Sequence, residues 1–290
     1  MSAGLKVYKE DETLLFDTGK ITYGLLKSGY LSFQVNWPRL DHRSLQLPPD
    51  QGSSFSESAT VDAIHGFSVI GAIAPIVFIS GSGISCGSSK DGDTTTFYYI
   101  GASPSTRFYY FDTMRNTLTG AGLKCYDENE VITFNSLQRP LNIAAVIQAP
   151  PPPAPTMSNG QALYGVPFAG ASKVGMRFIS SGPFYCVARV FIPIGAGEYA
   201  ASTTFSRSFG QGRMDSMAVP GNPFPAYVYM QAQMDGAYGA TGGIYFMACD
   251  AARTTMVQST SSPNFYFDLP TDRYPQALVI KIDSLPFPFN

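Results

Sequence analysis

Residues that could do chemistry are sparse in this chain. It has two histidines, His42 and His65, with Asp41 and Asp62 as their acidic neighbours. A Ser/His/Asp triad assembles in space, so spacing alone does not decide it. Gly81-Ser-Gly-Ile-Ser85, however, lacks the strand–elbow–helix context of an activated serine. Paired carboxylates would suit glycoside hydrolysis. The candidates Asp215, Asp235, Asp250, Asp268, Asp272 and Asp283 are scattered and mostly border turns, where Asp bonds its own backbone. Asp91-Gly-Asp93 opens like a calcium loop, but no downstream Glu completes it. Gly236–Gly243 follows no strand-to-helix switch, which a phosphate loop requires. Cys86, Cys125, Cys186 and Cys249 form no C-x-x-C and no zinc spacing, and are read as free thiols. No catalytic residue, metal ligand or cofactor site is assigned, and the chain is read as a non-enzyme.

Binding is the remaining chemistry. Tyr227, Tyr229, Tyr238, Tyr245, Tyr266 and Tyr274 lie among Ser, Gly, Asn and Gln. Tyrosine beside small adaptable polar residues is the composition of a recognition surface. It is equally the composition of antiparallel strands packed on one another. Both readings stand: a partner or receptor contact, or structural packing.

The elements that would position these residues are strands. The chain has 290 residues, 28 glycines and 22 prolines, is 13% aromatic and only 14% charged, where an ordinary soluble domain is about 25% charged. A hydrophobic share of 44% can bury a core. A net charge of −2 offers no phosphate-neutralising surface, so nucleic acid is not an expected partner. Alternating segments punctuated by Gly and Pro include Tyr30–Val35, Ile76–Ile79, Thr95–Ile100, Phe108–Asp112, Val174–Ile179, Tyr185–Ile192, Tyr227–Gln233, Gly243–Cys249 and Ala277–Ile282. Leu40–Ser58 reads as a long loop, and Ser58–His65 as a weak short helix. Gly66–Ser89 is uncharged but broken by Gly71 and Pro75. It is read as two buried strands and not as a membrane span. Residues 1–8 reach Glu10 without an apolar run, so no signal peptide is expected there.

Ala149-Pro-Pro-Pro-Pro-Ala-Pro155 is the clearest boundary, because polyproline is a stiff extended spacer. The expected fold is all-β: two β-sandwich-like domains, 1–148 and 156–290, joined by the proline-rich linker 149–155. Pro140–Ser172 and Ser216–Met234 are also uncharged. On a free monomer such segments would expose apolar patches, which points to an oligomer.

One internal echo stands out. Gly4–Thr18 (Gly-Leu-Lys-Val-Tyr-Lys-Glu-Asp-Glu-Thr-Leu-Leu-Phe-Asp-Thr) aligns without gaps on Gly122–Ser136 (Gly-Leu-Lys-Cys-Tyr-Asp-Glu-Asn-Glu-Val-Ile-Thr-Phe-Asn-Ser), with seven of fifteen positions identical. Each copy predicts a hairpin with an acidic turn, Leu5/Leu123 and Phe16/Phe134 facing inward.

This hairpin, continued in the second copy as Leu137-Gln-Arg-Pro-Leu-Asn-Ile143, resembles tail-tip and tail-fibre-associated structural proteins of long-tailed bacteriophages. The resemblance covers roughly residues 1–147. Glu12 and Glu130 depart from it, standing where a turn glycine is common. The resemblance implies a structural virion protein at the tail tip or tail fibre, assembled in the host bacterial cytoplasm. Its implied partners are other tail proteins, above all central-fibre or tail-tip subunits, in a homo- or hetero-oligomer of three-fold symmetry. A receptor- or glycan-binding adhesin touching the host surface is the alternative, and a polysaccharide depolymerase a weaker one.

Overall fold

The computed structural model describes residues 6–8, 10–12, 14–17, 20–42, 55–116, 120–158, 160–179, 182–214, 227–251, 255–257 and 265–289, with side chains defined at these positions except 15–16, 41–42, 55–60, 158, 175–179, 182–186, 213–214, 227–230 and 255–257. The chain is all-β, and the described residues contain no helix. The strands in chain order are β1 (Lys6–Tyr8), β2 (Leu14–Asp17), β3 (Tyr23–Tyr30), β4 (Ser32–His42), β5 (Phe55–Ile70), β6 (Ile76–Ser80), β7 (Ile84–Asp91), β8 (Thr94–Ile100), β9 (Arg107–Thr113), β10 (Lys124–Tyr126) and β11 (Ile132–Asn135). They continue as β12 (Ala145–Gln148), β13 (Thr156–Ser158), β14 (Gln161–Leu163), β15 (Ser172–Ile179), β16 (Gly182–Phe205), β17 (Ser208–Met214), β18 (Tyr227–Asp250), β19 (Thr255–Val257), β20 (Phe265–Phe267) and β21 (Gln276–Lys281).

Fifteen of these strands form one hydrogen-bonded sheet, ordered β12-β21-β16-β6-β18-β19-β4-β5-β8-β7, with β3, β9, β15, β17 and β20 attached to its side. The pairs β1–β2, β10–β11 and β13–β14 are separate hairpins. Strands from both sides of the proline segment meet in the large sheet. β6 pairs antiparallel with β16 at Ala201↔Ile79 and parallel with β18 at Gly239↔Ser80. β19 runs parallel to β4, and β12 antiparallel to β21. The two halves expected from the sequence are therefore joined by main-chain hydrogen bonds and not only by a tether.

The proline segment does not span open space. Ala149 is buried and its N–H donates to the Pro275 carbonyl at 2.8 Å. The Pro151 carbonyl accepts from the Ala169 N–H at 2.9 Å. Proline lacks a donor but keeps its carbonyl, so the segment docks through the Ala149 N–H and the Pro151 carbonyl.

The inner strands are buried on both faces, which explains their unbroken apolar runs. Successive side chains of a strand point to opposite sides. In β9, Phe108 and Tyr110 enter one core with Phe67, Ile79 and Met247, while Tyr109 and Phe111 enter a second with Leu25, Phe78 and Ile280. In β18, Ile244, Phe246 and Ala248 enter a third core with Phe168 and Val279, whereas Met247 and Cys249 face the first. The rings of Phe67 and Phe108 stack at 3.7 Å, 6° from parallel.

Two expectations are corrected. Residues 58–65 are not a short helix but part of β5. There Val61 and Ala63 are exposed while Asp62 and Ile64 are buried, the period of two that a strand requires. The long loop expected over Leu40–Ser58 is narrower at both ends: β4 reaches His42, β5 begins at Phe55, and 43–54 lie outside the described residues. Over Gly66–Ser89 the strands are the end of β5, β6 and the start of β7. No helix among the described residues is long and apolar enough to cross a membrane.

Candidate functional site

The echo in the sequence is an echo in space. In β1–β2 the register is Lys6↔Asp17, Val7↔Phe16, Tyr8↔Leu14, with an irregularity between Val7 and Tyr8. In β10–β11 it is Lys124↔Asn135, Cys125↔Phe134, Tyr126↔Ile132, with the same irregularity between Cys125 and Tyr126. Glu12 and Glu130 occupy the left-handed region, at φ 62° and 61°. Glycine enters that region at no steric cost, which accounts for the turn glycine usual at this point of the pattern. The second turn is closed by Asp127, whose Oδ1 accepts from the N–H groups of Asn129 and Val131 at 2.9 and 2.8 Å.

Facing is only partly as expected. Phe134 is 6% exposed and lies inward, but Leu123 is 48% exposed. Leu123 precedes β10, and its main chain, not its side chain, is engaged: its N–H donates to Ser136 Oγ at 2.9 Å and its carbonyl accepts from the Ser136 N–H at 3.0 Å. A Cβ on Gly122 would lie 2.9 Å from Leu137 Cγ and from Ser136 Oγ, so both side chains would have to shift. Leu5 lies outside the described residues, as does the side chain of Phe16. Tyr8 and Tyr126, at equivalent places, are both exposed. The second hairpin is tied to the large sheet through Asn135, whose Nδ2 donates to the Arg115 carbonyl at 2.9 Å.

The four tyrosines of the six whose side chains are described are not gathered on one surface. Tyr238 is 3% exposed, stacks on Tyr245 at 5.2 Å, and accepts from Arg189 Nη1 at 3.3 Å. Burial pushes its hydroxyl pKa up against the opposing pull of Arg189. Tyr245 is half-buried beneath the Arg189 guanidinium, 5.1 Å from its ring centre. Tyr266 is fully buried, and its main chain exchanges two 2.8 Å hydrogen bonds with Tyr164. Tyr274 is half-buried, with Arg207 5.9 Å from its ring centre. The side chains of Tyr227 and Tyr229 lie outside the described residues. The surface reading is thus corrected for Tyr238 and Tyr266. These rings occupy the two-sided interior of the sheet, which the low charge and the alternation of their strands leave no room to distinguish from an exposed face.

The carboxylates considered for glycoside hydrolysis are likewise dispersed. Asp235 is fully buried against Arg207, whose Nε and main-chain N–H donate to it at 2.8 and 2.6 Å. Burial pushes the Asp235 carboxyl up to about 6, with Arg207 pulling the other way. Asp250 belongs to a buried cluster that sequence reasoning missed. Arg39 donates to both Asp62 oxygens at 2.9 and 2.8 Å, to Asp250 Oδ2 at 2.5 Å, and to Gln231 Oε1 at 2.9 Å. Gln233 Nε2 donates to Asp250 Oδ1 at 2.6 Å, and Gln231 Nε2 donates there too. Burial opposes the charge on Arg39, but the two carboxylates outweigh it and hold the guanidinium above its ordinary pKa. Asp268, Asp272 and Asp283 are exposed, and Asp215 lies outside the described residues. His65 is buried edge-on to Phe33. The His42 side chain is outside the described set.

No protein-family model, curated protein or solved structure matches the chain. The arrangement itself can do two things chemically. Its ion clusters are hydrogen-bonded inside the sheet and lock strands of distant sequence together. Its two hairpins present the same exposed tyrosine beside the same acidic turn. Among the described residues no group of three or more His, Cys, Asp or Glu is placed to hold a metal ion, and Cys86, Cys125 and Cys249 are in no disulfide.

Proposed function

We propose that this chain is a structural virion protein of a tailed bacteriophage, located at the tail tip or tail fibre and assembling with neighbouring tail subunits. The observation that carries the reading is the duplicated hairpin: two copies with one register, one irregularity and one left-handed glutamate, on the residues that resemble the tail-protein pattern. Two equivalent hairpins, each with an exposed tyrosine (Tyr8, Tyr126), suit a chain that contacts repeated neighbours. The interlocked sheet and its buried, hydrogen-bonded ions suit a part that bears load. Cys86, Cys125 and Cys249, in no disulfide, fit assembly in the reducing bacterial cytoplasm. A host-receptor role, the alternative, would need residues other than Tyr238 and Tyr266. Three-fold symmetry is part of the proposal and rests on the resemblance alone.

Co-expression with the tail-tip and central-fibre proteins of the same phage tests the assembly reading. The chain is expected to co-elute with one of them in a complex of fixed stoichiometry. Elution as a free monomer from every combination contradicts it.

A further inference from the structure

One cavity is absorbed neither by the hairpins nor by the ion clusters. It has a volume of about 740 Å³ and opens between the β3–β9 ribbon and the ends of β5 and β8. That size falls within the range of small-molecule sites, roughly 300–1,000 Å³. Its walls are aliphatic and aromatic, from Leu26, Val69, Ile70 and Phe289. Ile70 remains 74% exposed, and Ile73 beyond it 70%. Leu26 is free to line the wall because the β3–β9 register is irregular between Leu25 and Lys27.

Two cations, Lys27 and Arg115, are among the residues that line the cavity, and no carboxylate is. Asp112 is fully buried and accepts from the N–H groups of Ile73, Ala74 and Thr113, from the Tyr110 hydroxyl at 2.7 Å, and from Arg115 Nη2 at 3.0 Å. Five donors fill the roughly four acceptor sites of a carboxylate, so Asp112 has nothing left to offer a ligand. Gln138 Oε1 is taken by the Arg115 N–H at 2.9 Å, and the Ser68 carbonyl by Lys27. On the donor side, Arg115 is held in place by the Gly71 and Ile70 carbonyls and by Asp112, and its side chain remains 24% exposed. Lys27 makes a single 3.4 Å bond, and an ammonium has three donors. Asp112, the carboxylate paired with Arg115, lies outside the lining, which leaves a net positive site over an apolar floor.

We infer that this cavity binds an amphipathic small molecule, an unbranched aliphatic chain ending in a carboxylate. The chain lies along Leu26, Val69, Ile70 and Phe289, and the carboxylate accepts from Lys27 and Arg115. The inference is independent of the virion reading.

The test is calorimetric titration of the full chain with dodecanoate and with dodecan-1-ol, each below its aggregation threshold. Dodecanoate is expected to bind at one site at least tenfold more tightly than the alcohol, because a charge-assisted bond is worth more than about 1.4 kcal/mol, a factor of ten. Lys27→Met keeps the aliphatic stem and is expected to weaken dodecanoate far more than the alcohol, bringing the preference below threefold. Thr94→Trp, at the exposed mouth of the cavity, is expected to weaken both ligands at least tenfold. Thermal melts of both variants verify folding. Absent binding, equal affinity for acid and alcohol, or an unchanged preference in Lys27→Met overturns the ligand class. Unchanged binding in folded Thr94→Trp overturns the location.

Discussion

Glu12 and Glu130 hold the same left-handed backbone position in two hairpins of one register, 118 residues apart in the chain. A non-glycine residue there carries a steric cost that glycine avoids. Glu130→Gly is therefore expected to stabilise the protein, by about 0.5 kcal/mol after the extra unfolded-state entropy of glycine is counted. A lower melting midpoint for Glu130→Gly would show that the glutamate side chain contributes more than the backbone strain removes.

Phe134 and Leu123 separate buried from exposed in the second hairpin. Phe134→Ala is expected to cost about 3–5 kcal/mol, and Leu123→Ala, already half in water, less than about 1 kcal/mol. Tyr126→Ala belongs with the smaller loss. Denaturant midpoints in the reverse order would contradict the facing.

Arg39 ties β4 to β5 and β18 at once, through Asp62 and Asp250. Arg39→Met leaves two buried carboxylates facing each other without their cation. The expected loss is about 3–5 kcal/mol. Arg39→Lys restores the charge but not the fork that reaches both carboxylates, so it is expected to recover only part of the loss. Full recovery by lysine would reduce the cluster to simple charge balance.

Asp235 gives a pH dependence of opposite sign to that of an ordinary paired carboxylate. Burial raises its folded pKa to about 6, against an ordinary value of 3.8. Between those values the folded state binds more protons than the unfolded state, so stability falls as pH rises from about 4 to about 6 and is level above. Asp235→Asn removes this slope. Relative to the variant, the native chain is expected to lose about 2 kcal/mol across that window, whatever constant offset the unpaired Arg207 adds. Urea midpoints at a series of pH values decide it, and parallel curves for the two proteins would contradict it.

The strand ends that meet across residues 149–155 bear on independent folding. Residues 156–290 alone would lose β6, the partner of both β16 and β18, and the aromatic half of a shared core. That fragment is expected to show no cooperative thermal transition. A sharp transition with native-like dispersion in a proton NMR spectrum would show that the half folds alone.

Much of the fold was legible. Alternation placed β6, β8, β9 and β21 within a residue or two, because each carries period-two apolar spacing between clear breaks. The long strands β16 and β18 were read as fragments, since their glycines resemble turn signals. Several of those glycines answer instead to close approach: a Cβ on Gly239 would lie 2.0 Å from the Tyr199 carbonyl oxygen, and one on Gly243 2.2 Å from that of Ile192. The hairpins were legible because they are local and repeated. The Arg39 cluster was not, because its members lie 23 to 211 residues apart and meet only once the strand order is known. The cavity was equally hidden: Lys27 and Arg115 come together only through the pairing of β3 with β9.

The proposed virion role is tested most directly by immunogold electron microscopy of purified phage particles from the source of the sequence, with antibody raised against the full chain. The account predicts gold confined to the distal tail, at the tip or fibre, in every labelled particle. Virions without label, from a lysate in which the free protein is abundant, would contradict it.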